Sequence, residues 1–480
     1  MTWSICSWIL LHPAITTQPV GDDLINPFFQ HYATGGGFIK VLKLGLEYGT
    51  SHKFDVIGQI IFVVHSWMWL QLDHLLGWSH LTFYFLTKWI IFSICILAGA
   101  ALLRTIVRTM GRLIPALVCV WLTTLALAST IQIHAIWSND PVANYPLSGF
   151  AAAGIGLFAL NYFAKSMAGS EVRPKIISSV LVSIAILYYE INVVLIIATL
   201  PLAMQALWEI RAEPKIQKVK VLLCYYMLPI TTVAWGYWVT SEQTQNYGGT
   251  TIGSMSQFPK TTAISLLSSL PLGGWNLSLE YNNRAPLLFT PYFFYVAAFF
   301  VGGAVVARWL RNSTRSNPVV NQSALTIVLA ALLYWLGATS IQTMTDKYQN
   351  EIIRIGQVYN FYAQASLIIA IFLALMFLLF QRNSLLLLAI SGVIFSMGIF
   401  QFSINSALEL SIREGNGASR SIMEKFSDES SDKERCEAWS AWSAGAWPEY
   451  YEQGLSVGLS LSYRHFYNKE YCSSGVPPQP

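Results

Sequence analysis

The chain has 480 residues, of which 54% are hydrophobic and only 11% are charged. Soluble domains carry about 25% charged residues, so this composition excludes a soluble globular protein and predicts an all-α polytopic membrane protein. The formal net charge of +4 is small for this length and does not predict a nucleic-acid partner.

Eleven apolar stretches are predicted to cross the bilayer as helices, because about 20 apolar residues span roughly 30 Å of hydrocarbon. The first stretch is short for a crossing, and polar residues around Glu190 divide 176–208 into two spans. The predicted spans are 3–11, 82–103, 113–131, 147–164, 176–190, 191–208, 220–240, 288–307, 325–341, 363–380 and 384–403.

Basic residues cluster in every second connection between these spans. The positive-inside rule therefore places the N-terminus inside and the C-terminus outside, in a multi-pass protein of the cytoplasmic (plasma) membrane. Counting 56–72 as a further span would reverse this alternation, so 56–72 is predicted to be an amphipathic helix in the outer interface, like 38–48 before it. The basic clusters include Arg104, Arg108 and Arg112; Lys165, Arg173 and Lys175; and Arg211, Lys215, Lys218 and Lys220.

A change of composition at residue 404 predicts two domains. Residues 1–403 form the transmembrane domain, with a first outer loop at 13–81, and residues 404–480 form a small extracytoplasmic C-terminal domain. The C-terminal domain contains Cys436 and Cys472, and an even pair in a small extracytoplasmic module predicts a disulfide. The other four cysteines lie in apolar spans, where cysteine is usually a small core residue.

The first outer loop carries two adjacent carboxylates, Asp22 and Asp23, just after the first span. When two carboxylates share a position, the pKa of one rises and the pKa of the other falls, which suits acid–base catalysis. Ionisable groups near a bilayer also tend to be functional. A solvated turn or a helix N-cap explains the same pair without a function. The position at a rigid helix end, beneath an outer cavity, favours a general base.

Further charged residues are predicted at the outer ends of later spans. Asp140 and Glu190 are candidates for contact with a substrate, and two or three such carboxylates could hold Mg²⁺ or Mn²⁺ through oxygen ligands. A phosphate-bearing substrate at the outer leaflet needs cationic partners, although solvated loop charges and a lysine that snorkels to the interface are the plainer interpretations. The candidate phosphate-binding residues are Arg354, Lys347, Arg284 and Lys88.

No P-loop, GxGxxG helix start, HExxH or CxxC motif occurs in the sequence, so nucleotide-driven soluble chemistry is not predicted. The charged residues crowd onto one face of the predicted bundle. This asymmetry favours an enzyme. The alternative is a polytopic transporter or lipid-linked-glycan flippase, in which the same charges would line the transport pathway.

With Gly21-Asp22-Asp23, the amphipathic segments at 38–72 and the outer C-terminal domain, the layout resembles the GT-C superfamily of polytopic membrane glycosyltransferases. The resemblance implies a polyprenyl-phosphate sugar donor and an envelope polysaccharide or glycolipid acceptor. It also implies contact with the membrane lipid. It further implies that Asp22 or Asp23 deprotonates the acceptor hydroxyl in an inverting transfer. The tryptophans of the C-terminal domain would then meet the acceptor glycan, and these include Trp439, Trp442 and Trp447.

Overall fold

The computed structural model shows an all-α chain in the part that it describes, with one isolated β-bridge between Ile252 and Thr345. The described residues are 2–17, 24, 26–28, 35–51, 55–77, 80–111, 113–131, 149–167, 171–241, 251–270, 322–356, 362–380, 384–415, 417–445 and 449–473.

The helices of the first half are α1 (Thr2–Leu10), α2 (His12–Thr16), α3 (Phe38–Ser51), α4 (Val56–Leu76), α5 (His80–Thr109), α6 (Ala116–Thr130), α7 (Gly149–Ser166), α8 (Val172–Tyr188), α9 (Val194–Ala198) and α10 (Leu200–Glu209). A 3₁₀ turn, Glu190–Val193, separates α8 from α9. The helices of the second half are α11 (Lys215–Ser241), α12 (Phe258–Ser268), α13 (Gln322–Thr343), α14 (Asp346–Glu351), α15 (Tyr362–Phe380), α16 (Ser384–Gly415), α17 (Gly417–Lys425), α18 (Asp432–Ser443) and α19 (Glu449–Tyr467).

Several helices are long and apolar enough to cross a membrane, which agrees with the prediction of an all-α membrane protein. Within the described residues there are six, not the eleven that the sequence predicts. Helix α6 has 15 residues, α8 has 17, and α7 carries the polar residues Asn161 and Lys165. Helix α15 has 19 residues, but its described apolar part, Ala363–Met376, is shorter than a span. The predicted span 288–307 lies outside the described residues. The six are Val56–Leu76, Leu81–Thr109, Glu190–Glu209, Lys215–Val239, Gln322–Thr343 and Ile390–Ala407.

Helix α4 contains residues 56–72, whose position in the outer interface stays a prediction from the sequence. It has 21 residues and is one of the six helices with the length and composition to cross. Its polar residue His65 is buried against α5, where its Nε2 lies 3.0 Å from Thr87 Oγ1. The number of basic residues in each connection does not reveal such packing, because it contains no information about contacts between helices.

Helix α5 organises the bundle, since it packs against α4, α6, α7 and α15. It runs antiparallel to α4, with the ring of Trp69 stacked on that of Tyr84 at 5.0 Å between centroids. It runs parallel to α7, with Cys95 Sγ donating to Phe150 O at 2.8 Å near the start of α7. The first part of α5 therefore extends beyond the N-terminal start of α7, on the side where α4 and the C-terminal helices lie.

Helices α17, α18 and α19 form a C-terminal module that a disulfide cross-links. Cys436 and Cys472 are bonded, 36 positions apart, as the sequence predicts. Helix α18 begins with a capping box in which Ser431 and Glu434 satisfy each other's backbone N–H groups. The aromatic core of the module is shared with Leu24, Phe28, Trp69, Leu70 and Tyr84.

Two features of this module differ from the sequence prediction. Helix α16 continues without a break to Gly415, so a single helix runs through the change of composition at residue 404. Trp439 and Trp442 are buried in the core of the module and stack on each other at 5.6 Å, so they do not present a face to a glycan. Trp447 lies outside the described residues.

Candidate functional site

A cavity of about 240 Å³ lies where α2, the start of α5, the end of α16 and α17 meet. Helix α16 brings Glu409 and Arg413 to it on one face, because they are four residues apart. Both residues follow the apolar segment Ile390–Ala407, so the cavity is at the level where the apolar part of α16 ends. The lining residues are His12, Thr16, Leu81, Phe85, Glu409, Arg413 and Arg420.

Glu409 is a half-buried carboxyl in the wall of this cavity, which also contains Arg413 and Arg420. Burial raises the pKa of Glu409 above its ordinary value, because the charged form loses solvation. Cationic side chains act in the opposite direction and favour the carboxylate; these are Arg413, His12, Lys88 and Arg420. A carboxyl balanced in this way can exchange a proton, which is the property that a general base or acid needs.

The two arginines give the cavity its capacity to bind an anion. Arg413 and Arg420 are exposed, and Arg420 is also hydrogen-bonded to Glu424 one turn further along α17. A guanidinium presents a planar fork of donors that matches two phosphate oxygens. The cavity therefore combines a half-buried carboxyl with donors suited to a phosphate.

Lys88 lies behind this wall, and its ammonium is fully buried. It donates to Thr17 O at 2.8 Å and to Ala14 O at 3.4 Å, and it sits 4.7 Å from the ring centre of Tyr84. These carbonyls belong to the C-terminal end of α2, whose last carbonyls have no partner within the helix. The Lys88 ammonium thus stabilises the C-terminal end of α2. It is not exposed to bind a phosphate, as the sequence suggests.

The other predicted site residues are not gathered in the cavity. Glu190 begins the 3₁₀ turn between α8 and α9. Lys347 is on α14, which packs on α12 and α13, and Arg354 follows α14 on an exposed surface. Neither Glu190 nor Lys347 nor Arg354 lines the cavity. The predicted residues Asp22, Asp23, Asp140 and Arg284 lie outside the described residues.

Metal ligation has no structural counterpart in the described part of the chain. Among the described residues, no three His, Cys, Asp or Glu side chains converge as metal ligands. Binding of Mg²⁺ or Mn²⁺ through Asp140 and Glu190 stays a prediction from the sequence.

The sequence did contain a signal for Glu409 and Arg413. They follow an apolar run at a spacing of four residues, which places them on one face of any helix that continues past residue 403. Ending the last span at residue 403 assigns them to a separate domain and conceals this spacing. His12 and Arg420 carried no comparable signal, because only tertiary contacts bring them together.

A comparison of the chain with known protein families, characterised proteins and solved structures found no match.

Proposed function

We propose that the protein is a membrane glycosyltransferase that moves a sugar from a polyprenyl-phosphate donor to an envelope polysaccharide or glycolipid acceptor. The observation that carries the proposal is the cavity in which Glu409 faces Arg413, Arg420 and His12. The described helices do not reproduce the eleven-span layout on which the resemblance to GT-C enzymes depends. The proposal therefore rests on the cavity and on the acidic pair of the first outer loop.

The position of the cavity suits a lipid-linked donor. Leu81 and Phe85 line one side of it, and the apolar segment of α16 ends at Ala407, two residues before Glu409. A polyprenyl phosphate places its phosphate at the boundary between hydrocarbon and water, and its chain in the hydrocarbon. Arg413 and Arg420 would hold the phosphate, and the charge that it keeps on leaving makes a strong general acid unnecessary.

A carboxylate takes the acceptor proton in this mechanism. The acceptor hydroxyl oxygen forms a bond to the anomeric carbon, the bond from that carbon to the phosphate oxygen breaks, and the hydroxyl proton passes to the carboxylate. Polyprenyl phosphate leaves with the bonding pair, and the anomeric carbon is inverted. Glu409 joins Asp22 and Asp23 as a candidate for this base, and Lys88 positions the end of α2 from which the acidic pair follows.

The test is transfer of radiolabelled sugar from polyprenyl-phosphate donors to envelope glycan by purified protein. We expect one of Glu409→Gln, Asp22→Asn and Asp23→Asn to reduce the rate by about 100-fold or more, as the loss of a general base does. Arg413→Gln should raise the donor KM, because it removes a phosphate contact. Glu437→Gln, an exposed acid of α18 paired with Lys433, is the matched control and should keep full activity.

Two results would contradict the proposal. Robust transfer that survives all three acid substitutions would show that these carboxylates are not the base. No transfer from any donor, together with movement of a fluorescent lipid-linked glycan across proteoliposomes, would instead support the transporter or flippase alternative.

A further inference from the structure

One face of α5 changes from apolar to basic along its length. Ile90, Ile94 and Leu97 are 45–51% exposed on this face. Arg104 and Arg108 continue it at spacings of seven and four residues, which keeps all five on the same side of an α-helix. These residues form what we call the α5 stripe, which ends in two guanidinium groups.

Helix α7 brings a third cation to the basic end of the α5 stripe. Cys95 on α5 contacts Phe150 on α7, and Thr105 Oγ1 donates to Asn161 Oδ1 at 2.7 Å. The paired residues are 55 and 56 positions apart, so the two helices run in parallel and in constant register. On this register Arg108 is level with residues 163–164, which places Lys165 beside it.

The exposed residues of α7 repeat the pattern of the α5 stripe. Phe158 is 48% exposed, Tyr162 is half-buried and Lys165 is exposed, at spacings of four and three residues. Two parallel helices therefore each present an apolar surface that ends in a cation at the same end of the bundle.

These three cations are close enough to repel one another. Burial, and then the charges of Arg108 and Arg104, lower the pKa of Lys165. Within the described residues no acidic side chain forms a salt bridge with Arg104, Arg108 or Lys165. The Nε of Arg104 is moreover buried without a hydrogen-bond partner there. A buried donor in a group of repelling cations is costly unless an anion meets it.

The neighbouring Lys175 shows the contrasting case. It is buried, donates to Ser166 O at 3.2 Å and to Glu171 O at 3.1 Å, and feels the negative charges of Glu209 and Glu171. Burial lowers the pKa of Lys175, and the nearby acids offset part of that effect. The charges of Arg104, Arg108 and Lys165 are not balanced in this way by described residues.

We propose that Arg104, Arg108 and Lys165 form a binding site for the phosphate of an anionic phospholipid, whose acyl chains lie along the α5 stripe. The guanidinium groups suit the two free oxygens of a phosphodiester. The continuity of the cations with the exposed apolar residues Ile90, Ile94 and Leu97 favours a lipid over a soluble anion. Basic pockets between membrane helices bind anionic headgroups in this manner.

The test measures binding of phosphatidylglycerol to the purified protein by native mass spectrometry, with phosphatidylcholine as the reference lipid. We expect the wild type to retain phosphatidylglycerol in preference to phosphatidylcholine. The variant Arg104→Gln/Arg108→Gln/Lys165→Gln should bind phosphatidylglycerol about 100-fold more weakly, at about fivefold for each base. Arg108→Gln alone should lose about fivefold; because Arg108 is exposed, this single variant tests the site even if the triple variant does not fold.

The matched control is Lys215→Gln/Lys218→Gln/Lys220→Gln, which removes the same charge from the start of α11. It should keep the preference of the wild type for phosphatidylglycerol. An equal loss in both triple variants would overturn the site, because the effect would then follow net charge. Equal retention of the two lipids by the wild type would also overturn it. Displacement of phosphatidylglycerol by excess inorganic phosphate would show a site for a free anion, and would likewise overturn the assignment to a lipid.

Discussion

Asn192 and Tyr334 show how one polar pair fixes the geometry of an apolar bundle. The Tyr334 hydroxyl donates to Asn192 Oδ1 at 2.6 Å, and Asn192 Nδ2 donates to Ala185 O at 2.9 Å and to Ala152 O at 3.3 Å. Both side chains are buried, so no water replaces a lost bond. This pair therefore ties α13 to the 3₁₀ turn after α8 and to α7, and it defines where the chain turns.

Tyr334→Phe should destabilise the protein, because it leaves the buried Asn192 Oδ1 without its short hydrogen bond. The expected loss is about 1–3 kcal/mol, the cost of an unsatisfied buried acceptor. Thermal unfolding in detergent, followed by tryptophan fluorescence, measures it. Tyr162→Phe is the control, because the half-buried Tyr162 hydroxyl has no hydrogen bond with described residues. Equal midpoints for the two variants would contradict this reading of the pair.

Glu434 predicts how the stability of the C-terminal module depends on pH. Its carboxylate accepts from Lys425 Nζ at 2.8 Å and from Ser431 N at 2.8 Å. These bonds, with that of Lys425 first, lower the pKa of Glu434 to about 2. Because the folded pKa lies below the unfolded one, the stabilisation is complete above the ordinary value near 4.5 and is lost as the pH falls toward 2.

We therefore expect the midpoint of urea unfolding of the module to fall between about pH 4.5 and pH 2 in the wild type. Glu434→Gln should flatten this dependence, because the amide does not titrate. Glu437→Gln, which removes an exposed acid of the same helix, should leave the slope unchanged. A wild-type slope that persists in Glu434→Gln would assign the acid sensitivity to another group.

Among the elements, α4 and α8 approach each other at a glycine. A Cβ built on Gly58 would lie 2.0 Å from Tyr188 O, a backbone atom that cannot rotate away. Small residues at helix contacts in membranes let backbones come this close. The absence of a side chain at Gly58 therefore decides how closely α4 packs on the bundle, and with it the position of Trp69 and Leu70 in the core of the C-terminal module.

Gly58→Ala should separate α4 from α8 and destabilise the fold by about 1–3 kcal/mol, as other overpacked contacts do. Gly398→Ala is the matched control in α16, where a Cβ would meet only ordinary contacts, 3.7 Å from Ser129 Cβ. The control should be neutral or slightly stabilising, because alanine is the better helix former. Thermal midpoints of the two variants measure the difference, and a loss as large in Gly398→Ala would exclude a steric cause.

At the scale of the whole molecule, the membrane bundle and the C-terminal module are continuous. Helix α16 leads from the bundle to α17, and the aromatic core of the module includes Trp69 and Tyr84 from α4 and α5. The candidate cavity lies at this junction, between α2, α5, α16 and α17. Its geometry therefore depends on how the module is docked.

Removal of the disulfide should loosen this docking. The variant Cys436→Ser/Cys472→Ser opens a loop of 36 positions. Because the unfolded chain then gains conformational entropy, the free energy of unfolding should fall by about 4 kcal/mol. We expect a lower thermal midpoint and, if the cavity acts as proposed, lower transfer activity. Cys6→Ser/Cys224→Ser removes two cysteines that form no disulfide and should change neither. Unchanged stability in the first variant would show that the aromatic core suffices without the bond.

The sequence by itself determined that this is an all-α membrane protein, because apolar runs and sparse charge are local properties that composition reports directly. It also determined the pairing of Cys436 with Cys472, since the other cysteines lie in apolar segments. Only the tertiary structure decided which helices are long enough to span and where Lys88 directs its ammonium. It alone assembled the cavity, because His12, Phe85, Glu409 and Arg420 meet through contacts between residues hundreds of positions apart, which no local pattern encodes.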